Sequence, residues 1–486
     1  MTPTYLFYDI ETTGLNKAFD QVLQFAAIRT DDKLNEIDRH TIRVKLRPDV
    51  IPAPQAIITN RIPIIELTSG TSEFEAIQQI HQLLNEPGTV SLGYNTLGFD
   101  DEFLRFSFYR NLLPPYTHQY LHDCRRMDLL PITIIYRLYK KNVLSWPQIS
   151  GKLSLKLEHI SAANKIINGP SHVAMADVEA TVELARIFFK KRKMWDYLEG
   201  YFDKETDALR VRELPPSFES AAGSHRKGLM VNSEYGPQQN YQVPVLSIGR
   251  SIPYSNQTLW LRLDLESLAE TKEDTLDETT WVVRKRYGEP GILLPPLKRY
   301  WKKIGADRST IVDRNLEWLQ SNPELFQQII TYYREYRYPF IPNLDPDAAL
   351  YQIGFYASSD DKLCRRFHNA PLHERIILID RFGSNEARIL AARVLCRNYP
   401  EAPQGRFIED FSTYMSHVNP RREEAALLDY KGNRRTTPLS ALMEIKQLKQ
   451  SENLDSQQQF LLDELEQYIN TEFVEKASGR QLTLDR

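Results

Sequence analysis

A multidomain α/β protein is predicted from three observations. Residues 1–195 alternate strand and helix signals, residues 196–345 turn to short alternating apolar runs broken by Pro and Gly, and residues 346–486 read as helix. A chain of 486 residues is long enough for two to four domains, and the three textures divide it into three.

In the first region, residues 5–9 and 22–30 read as neighbouring strands, with a third over 41–46. Residues 73–85 carry Phe74, Ile77, Ile80 and Leu84 at helical spacing and stop before the Pro87-Gly88 turn. A short buried strand over 90–94 leads through a loop to a helix over 102–111. A long helix starts near Ala174 with Val178, Val182, Ala185 and Phe189 on its apolar side. In the second region Pro215-Pro216, Gly223, Gly228 and Gly236-Pro237 punctuate the chain. Residues 260–265 and 281–287 alternate as half-buried strands, with helix over 314–320 and 323–336. Beyond Pro339, Pro342 and Pro346 the pattern is helical, clearest over 386–396 and 456–469. No internal repeat is visible.

The composition, 42% hydrophobic and 26% charged, excludes collagen-like, low-complexity and globally disordered chains. Apolar runs such as 131–136 are far shorter than the ~20 residues of a membrane-spanning helix. Residues 5–8 already read as core strand, so no secretory signal is expected ahead of them. Cys124, Cys364 and Cys396 have neither metal-ligand spacing nor the even count of a disulfide framework, and a reducing cytoplasm is expected. The net charge of −3, from 61 Lys+Arg against 64 Asp+Glu, excludes a uniformly basic protein. Nucleic-acid binding then depends on segregating basic residues onto one surface.

Three motifs carry chemistry. In Asp9-Ile10-Glu11-Thr12-Thr13-Gly14, positions two apart on a strand share a face, so Asp9 and Glu11 project side by side at the strand's exposed end. Paired carboxylates repel unless a cation neutralises them, and hard oxygen donors suit Mg²⁺ or Mn²⁺. Phe99-Asp100-Asp101 puts two acids where a loop enters a helix. One can serve the helix N-terminus while Asp100 supplies a third metal carboxylate. In His172-Val173-Ala174-Met175-Ala176-Asp177, two helical residues would lie about 140° apart. They converge only if His172 sits in the loop after Gly169-Pro170 and Asp177 one turn into the helix. Singly, each motif also reads as a solvated or capping residue.

As an ordered set, Asp-x-Glu, Asp100 and His-x₄-Asp resemble the DEDDh branch of the 3′→5′ exonucleases. Residues 24–31, Gly93-Tyr94-Asn95, 99–102, 108–111, Leu157-Glu158-His159 and 174–178 are similar, more narrowly, to bacterial exonuclease I. The resemblance implies an RNase H-like exonuclease domain with a mixed sheet, an SH3-like mainly β domain and an all-α C-terminal domain. Thr13 departs from a Phe frequent in the family, and Lys156 from an Arg.

The same resemblance implies the roles. Asp9, Glu11 and Asp177 hold one Mg²⁺, and Asp9 with Asp100 places a second; Mn²⁺ is an expected substitute. Such ions stabilise the attacking and departing oxygens at phosphorus. His172 is the candidate general base, because imidazole titrates near working pH. Glu11, Lys156, Arg105 and Tyr116 match positions that contact substrate. The implied reaction is processive 3′→5′ hydrolysis of single-stranded DNA to 5′-mononucleotides by a monomer, in DNA repair or recombination. The implied partner is the acidic tail of single-stranded DNA-binding protein, with Arg308 and Arg314 in the matching segment. The stretches Arg284-Lys285-Arg286-Tyr287 and 298–303 interleave basic and aromatic residues, the pattern of single-strand binding, though solvated charge with a few buried rings reads the same way. An RNA 3′-exonuclease uses the same carboxylates, but those trimming enzymes are little more than a catalytic domain. A non-catalytic nucleic-acid-binding protein would be expected to lack at least one of the five acid and His residues. A dehydrogenase is excluded, since no G-x-G-x-x-G follows the first strand.

Overall fold

The computed structural model describes residues 3–166, 174–402, 405–451 and 453–476. Its first sheet has the order β3-β2-β1-β4-β5, built from β1 (Thr4–Thr12), β2 (Val22–Thr30), β3 (Glu36–Arg43), β4 (Thr89–Gly93) and β5 (Arg125–Asp128). β1, β2 and β3 pair antiparallel, whereas β4 and β5 run parallel to β1. Both faces of β1 and β2 are covered, which is why these strands read as nearly continuous apolar runs.

Helices α1 (Pro54–Asn60), α2 (Ile64–Leu67), α3 (Glu73–Leu84) and α4 (Asp100–Arg110) follow β3 and flank β4. After β5 come α5 (Leu129–Tyr139), the small hairpin β6 (Gln148–Ile149) and β7 (Lys152–Leu153), α6 (Leu157–Asn164) and α7 (Ala174–Phe189). Val178, Val182, Leu184, Ala185 and Phe188 of α7 pack with Tyr5, Phe7, Ala26 and Ile28 of the sheet in one core. On the opposite face Phe74, Ile77 and Ile80 of α3 and Phe103 of α4 are buried.

The second sheet has six strands, β8 (Pro216–Ser220), β9 (Gly223–Val231), β10 (Gln242–Arg250), β11 (Gln257–Arg262), β12 (Val282–Arg286) and β13 (Ile292–Leu294). Its order is β12-β11-β10-β9-β13, with β8 paired to β9. Helices Ala306–Ser321 and Pro323–Glu335 cover it through Val312, Leu319, Phe326 and Ile329. Helices from Ser358–Asn369 to Ser456–Ile469 form the remainder. The predicted succession of mixed α/β, mainly β and helical structure is what the molecule has. The three cysteines are buried and form no disulfide, and among the described residues no helix is long and apolar enough to cross a membrane.

Several elements differ from the expectation. The third strand begins at Glu36, not Thr41, because its sequence EIDRHTIR lies on an exposed sheet edge and carries little apolar signal. β1 continues through Glu11 to Thr12, so the two carboxylates sit within the paired strand, Asp9 opposite Ala26 and Glu11 opposite Gln24, and not at an exposed end. Phe188 is the fully buried ring of α7, and Phe189 is half-buried against the same core.

A buried ion network ties the first region to the helical one. Arg397 Nη2 reaches Asp49 Oδ2 at 2.8 Å and also pairs with Asp347. Arg393 Nη1 lies 2.6 Å from Asp345 and 3.2 Å from Asp347. Arg47 bridges Asp49 at 3.2 Å and Glu73 at 3.0 Å. Tyr414 donates its hydroxyl to Asp49 at 2.9 Å and accepts from Arg435 at 2.7 Å.

Candidate active site

The site is assembled where β1, the start of α4 and the start of α7 meet. One carboxylate oxygen each from Asp9, Glu11 and Asp177 lies within 4.8 Å of the other two. Period-2 alternation on β1 brings the first pair together. Asp177 is the fourth residue of α7, one turn in, and that helix crosses β1 and β2. Glu11 is buried, Asp9 and Asp177 half-buried. Withdrawal from water, then the negative charge of Asp100, Glu11 and Asp177, holds the Asp9 carboxyl well above the usual carboxylate range. Burial followed by the charges of Asp177 and Asp100 pushes Glu11 up to about 8. Carboxylates crowded this way are a ready set of hard oxygen ligands for a divalent cation.

Asp100 stands behind this triad. Its Oδ1 accepts the amide hydrogen of Ile10 at 3.2 Å, between the two β1 acids, and burial raises it to about 7. The loop that delivers it is held by a residue that sequence reasoning missed. Asp128, at the end of β5, accepts the amide hydrogens of Asn95 (2.9 Å) and Leu130 (2.9 Å) on Oδ1 and of Leu97 (3.0 Å) on Oδ2. The readable signal was Asp before Leu-Leu-Pro, an N-cap opening α5. Gly93, at the end of β4, is required by close approach: a Cβ there would lie 2.5 Å from the Tyr8 carbonyl oxygen. Thr13 donates to Asp20 at 2.9 Å and accepts the Gln21 amide, clamping the turn after Glu11.

Asp101 stands in the first turn of α4 but makes no capping hydrogen bond there. It is buried between Arg126 (2.6 Å), His118 (2.8 Å) and Arg105 (3.1 Å); against the effect of burial, the two arginine charges and the His118 hydrogen bond hold it well below the usual range. Consecutive helical residues diverge by 100°, so Asp100 faces the triad while Asp101 and Arg105, four residues apart, share another face. Arg105 is thus engaged with Asp101 and lies over the Tyr116 ring at 5.9 Å. Tyr116 meets the exposed ring of Phe355 at 6.0 Å.

Lys156 reaches the same opening as the triad. It caps α6, its side chain is 72% exposed, and Nζ lies 3.5 Å from Glu158. A cleft of about 500 Å³ runs between Asp9, Asp177, Lys156, Tyr94 and, from the β region, Ser233, Pro237 and Tyr241. His172 lies outside the described residues. Arg308 is engaged with Asp264 (Nε to Oδ2, 2.8 Å) and the Gln242 carbonyl (2.8 Å), whereas Arg314 is exposed.

A mixed sheet of this order, with acids from its first strand and two helix starts converging on one cleft, defines an exonuclease domain of the RNase H-like class. A family model described as "Exonuclease" matches residues 6–185. Exodeoxyribonuclease I of Escherichia coli (strain K12) is 30% identical over 380 residues, 74% of this chain and 77% of that protein. The structure of E. coli exonuclease I in complex with a dA16 oligonucleotide aligns with a TM-score of 0.84 at 25% identity, over 97% of this chain and 100% of that one. The zinc-ion-bound form of the E. coli enzyme with single-stranded DNA aligns at 0.83, also 25% identical and over the same shares. The chain belongs to the exodeoxyribonuclease I family.

Proposed function

We propose that this protein hydrolyses single-stranded DNA from the 3′ end, processively, releasing nucleoside 5′-monophosphates with the help of two Mg²⁺ ions. The observation that carries this reading is the convergence of Asp9, Glu11 and Asp177 within 4.8 Å at the mouth of the cleft. The donor set fits the cation: three buried or half-buried carboxylates, with only acids and burial acting on Asp9 and Glu11.

Asp9, Glu11 and Asp177 would hold one ion, and Asp9 with Asp100 would hold the other. When bound, the ions neutralise the phosphate and lower the pKa of water at neutral pH. His172, five residues before Asp177, takes the proton of the attacking water. The water oxygen bonds to phosphorus, the bond from phosphorus to O3′ of the penultimate nucleotide breaks, and that oxygen is protonated as it leaves. Lys156 meets substrate phosphate at the cleft mouth, while Arg105 and Tyr116 lie along the strand's approach. Asp128 keeps Asp100 in register through the 95–99 loop. The acidic tail of single-stranded DNA-binding protein would meet the segment that carries Arg308 and Arg314, where Arg308 is paired with Asp264 and the exposed Arg314 donates to the Glu266 carbonyl.

The test is a time course on 5′-labelled single-stranded DNA, duplex DNA and RNA, with Mg²⁺ and with chelator. Stepwise shortening of single-stranded DNA that needs the metal is the expected result. Preferential loss of the RNA would move the protein to the RNA-trimming enzymes, and tight binding without cleavage would make it a binding protein.

A further inference from the structure

Three acids in succession, Asp100, Asp101 and Glu102, open α4, and the mechanism uses only the first. Steps of 100° per residue point them in three directions, so one turn of helix can meet three different neighbours. The residue before the turn, Phe99, makes no side-chain capping hydrogen bond. The setting of the turn, and with it of Asp100, therefore depends on what the other two acids grip.

Asp101 leads to the β region. Its Oδ2 lies 2.6 Å from Arg126 Nη1, and Arg126 Nη2 lies 3.0 Å from Glu289 Oε1 in the turn between β12 and β13. The side chains of Asp101 and Arg126 are 1% and 6% exposed, so solvent screens their pairing little. The turn that carries Glu289 is itself anchored: Asp207 accepts the Gly288 amide hydrogen at 3.0 Å and pairs with the buried Lys285 at 2.7 Å.

Glu102 leads to the helical region. Its Oε1 accepts the hydroxyl hydrogens of Tyr351 at 2.8 Å and of Tyr430 at 3.0 Å. Both rings pack on Phe106, one turn further along α4, at 5.3 and 5.0 Å. The Glu102 Oε2 atom pairs with Lys17, in the segment that follows Glu11, and Lys17 also donates to the Gly98 carbonyl at 3.3 Å. One helical turn thus touches the cleft, the β region and the helical region.

The geometry points to Asp101 and Glu102 as positioning residues for Asp100, through which Glu289 of the β region and Tyr351 and Tyr430 of the helical region set the place of a metal carboxylate. It rests on the function proposed above. Charge-assisted hydrogen bonds are short and directional, and a turn gripped from two sides cannot rotate. A misplacement of about 1 Å at a reacting centre can cost about 10²-fold in rate. The set of catalytic acids is therefore complete only while the three regions are docked on one another.

The experiment uses the full chain with two substitutions outside the cleft. Glu289→Gln removes the charge facing Arg126, and Tyr351→Phe/Tyr430→Phe removes two hydroxyls while leaving the rings. Turnover of 5′-labelled dT30 in Mg²⁺ gives kcat and KM, and calorimetry follows Mn²⁺ titrated into the metal-free protein; circular dichroism and a thermal melt check the fold. Each variant should lower kcat by about tenfold with KM changed by less than about twofold, and weaken the second Mn²⁺ by about tenfold. Glu289→Asp, which keeps the charge, should recover most of the loss. In an Asp100→Asn background neither variant should weaken the remaining Mn²⁺ further, a result that general loosening of the fold would not give. An unchanged kcat in both variants, or equal weakening of Mn²⁺ with and without Asp100, overturns the positioning role and leaves the exonuclease reading intact. Wild-type protein that neither takes up Mn²⁺ nor shortens the strand overturns both.

Discussion

Two clusters of buried acids in this molecule are built from the same residue types and behave in opposite ways. Asp49, Glu73 and Asp347 are buried among Arg47, Arg393, Arg397 and Arg435, and the arginine charges hold all three carboxyls below their usual range despite burial. Asp9, Glu11 and Asp100, half-buried or buried, face only one another and other acids, and their carboxyls are raised. Burial alone would raise every one of them, so the difference lies in whether the chain supplies the cation. Where it does, acids join two regions of the fold. Where it does not, they leave a crowded set of hard oxygen donors, the kind of set a divalent cation would neutralise.

The largest effect should come from taking a ligand out of the second cluster. Asp177→Asn is expected to lower kcat by about 10³-fold or more, roughly 4 kcal/mol of barrier, while the protein stays folded. Single-turnover cleavage beside a thermal melt checks it; an active Asp177→Asn would break the contrast. In the first cluster the loss should fall on stability instead. Arg397→Met leaves Asp49 and Asp347 buried without a main partner, which costs about 3–5 kcal/mol in denaturant unfolding.

The pH dependence sharpens the same contrast. Glu11 is raised from 4.5 to about 8, so the metal-free folded protein keeps a proton that the unfolded chain gives up. Its contribution to stability is complete below about pH 4.5 and is lost as pH rises through 8. Asp49 and Asp347 are lowered from 3.8, so theirs is present above that value and lost as pH falls. In chelator, Tm should therefore decline on both sides, with Glu11→Gln flattening only the alkaline limb. A Tm that stays level to pH 9 would contradict it. The smallest effect is expected at the rim, where Lys156→Ala should raise KM for single-stranded DNA by about three- to tenfold and reduce its salt slope by about 0.7.

What could be read in advance followed the range of the interactions. β2 and helix Ser456–Ile469 were legible because their apolar residues form dense runs or recur at 3.6-residue spacing. The Asp9 and Glu11 pairing was legible because it depends only on strand alternation. β5 was not, since Arg125-Arg126-Met127-Asp128 holds one apolar residue and its place is set by pairing with β4. The role of Asp101 was hidden for a related reason: its partners His118 and Arg126 lie 17 and 25 residues away. Asp49 and Arg397, 348 residues apart, meet only through tertiary packing.

The most direct measurement is calorimetric titration of Mn²⁺ into the metal-free protein at pH 7, in two buffers of different ionisation enthalpy. A cluster that lacks its own cation must shed protons to accept one. Binding accompanied by proton release is expected, with both strongly reduced in Asp177→Asn and in Asp9→Asn. Absence of binding, or binding that neither variant weakens, would contradict it.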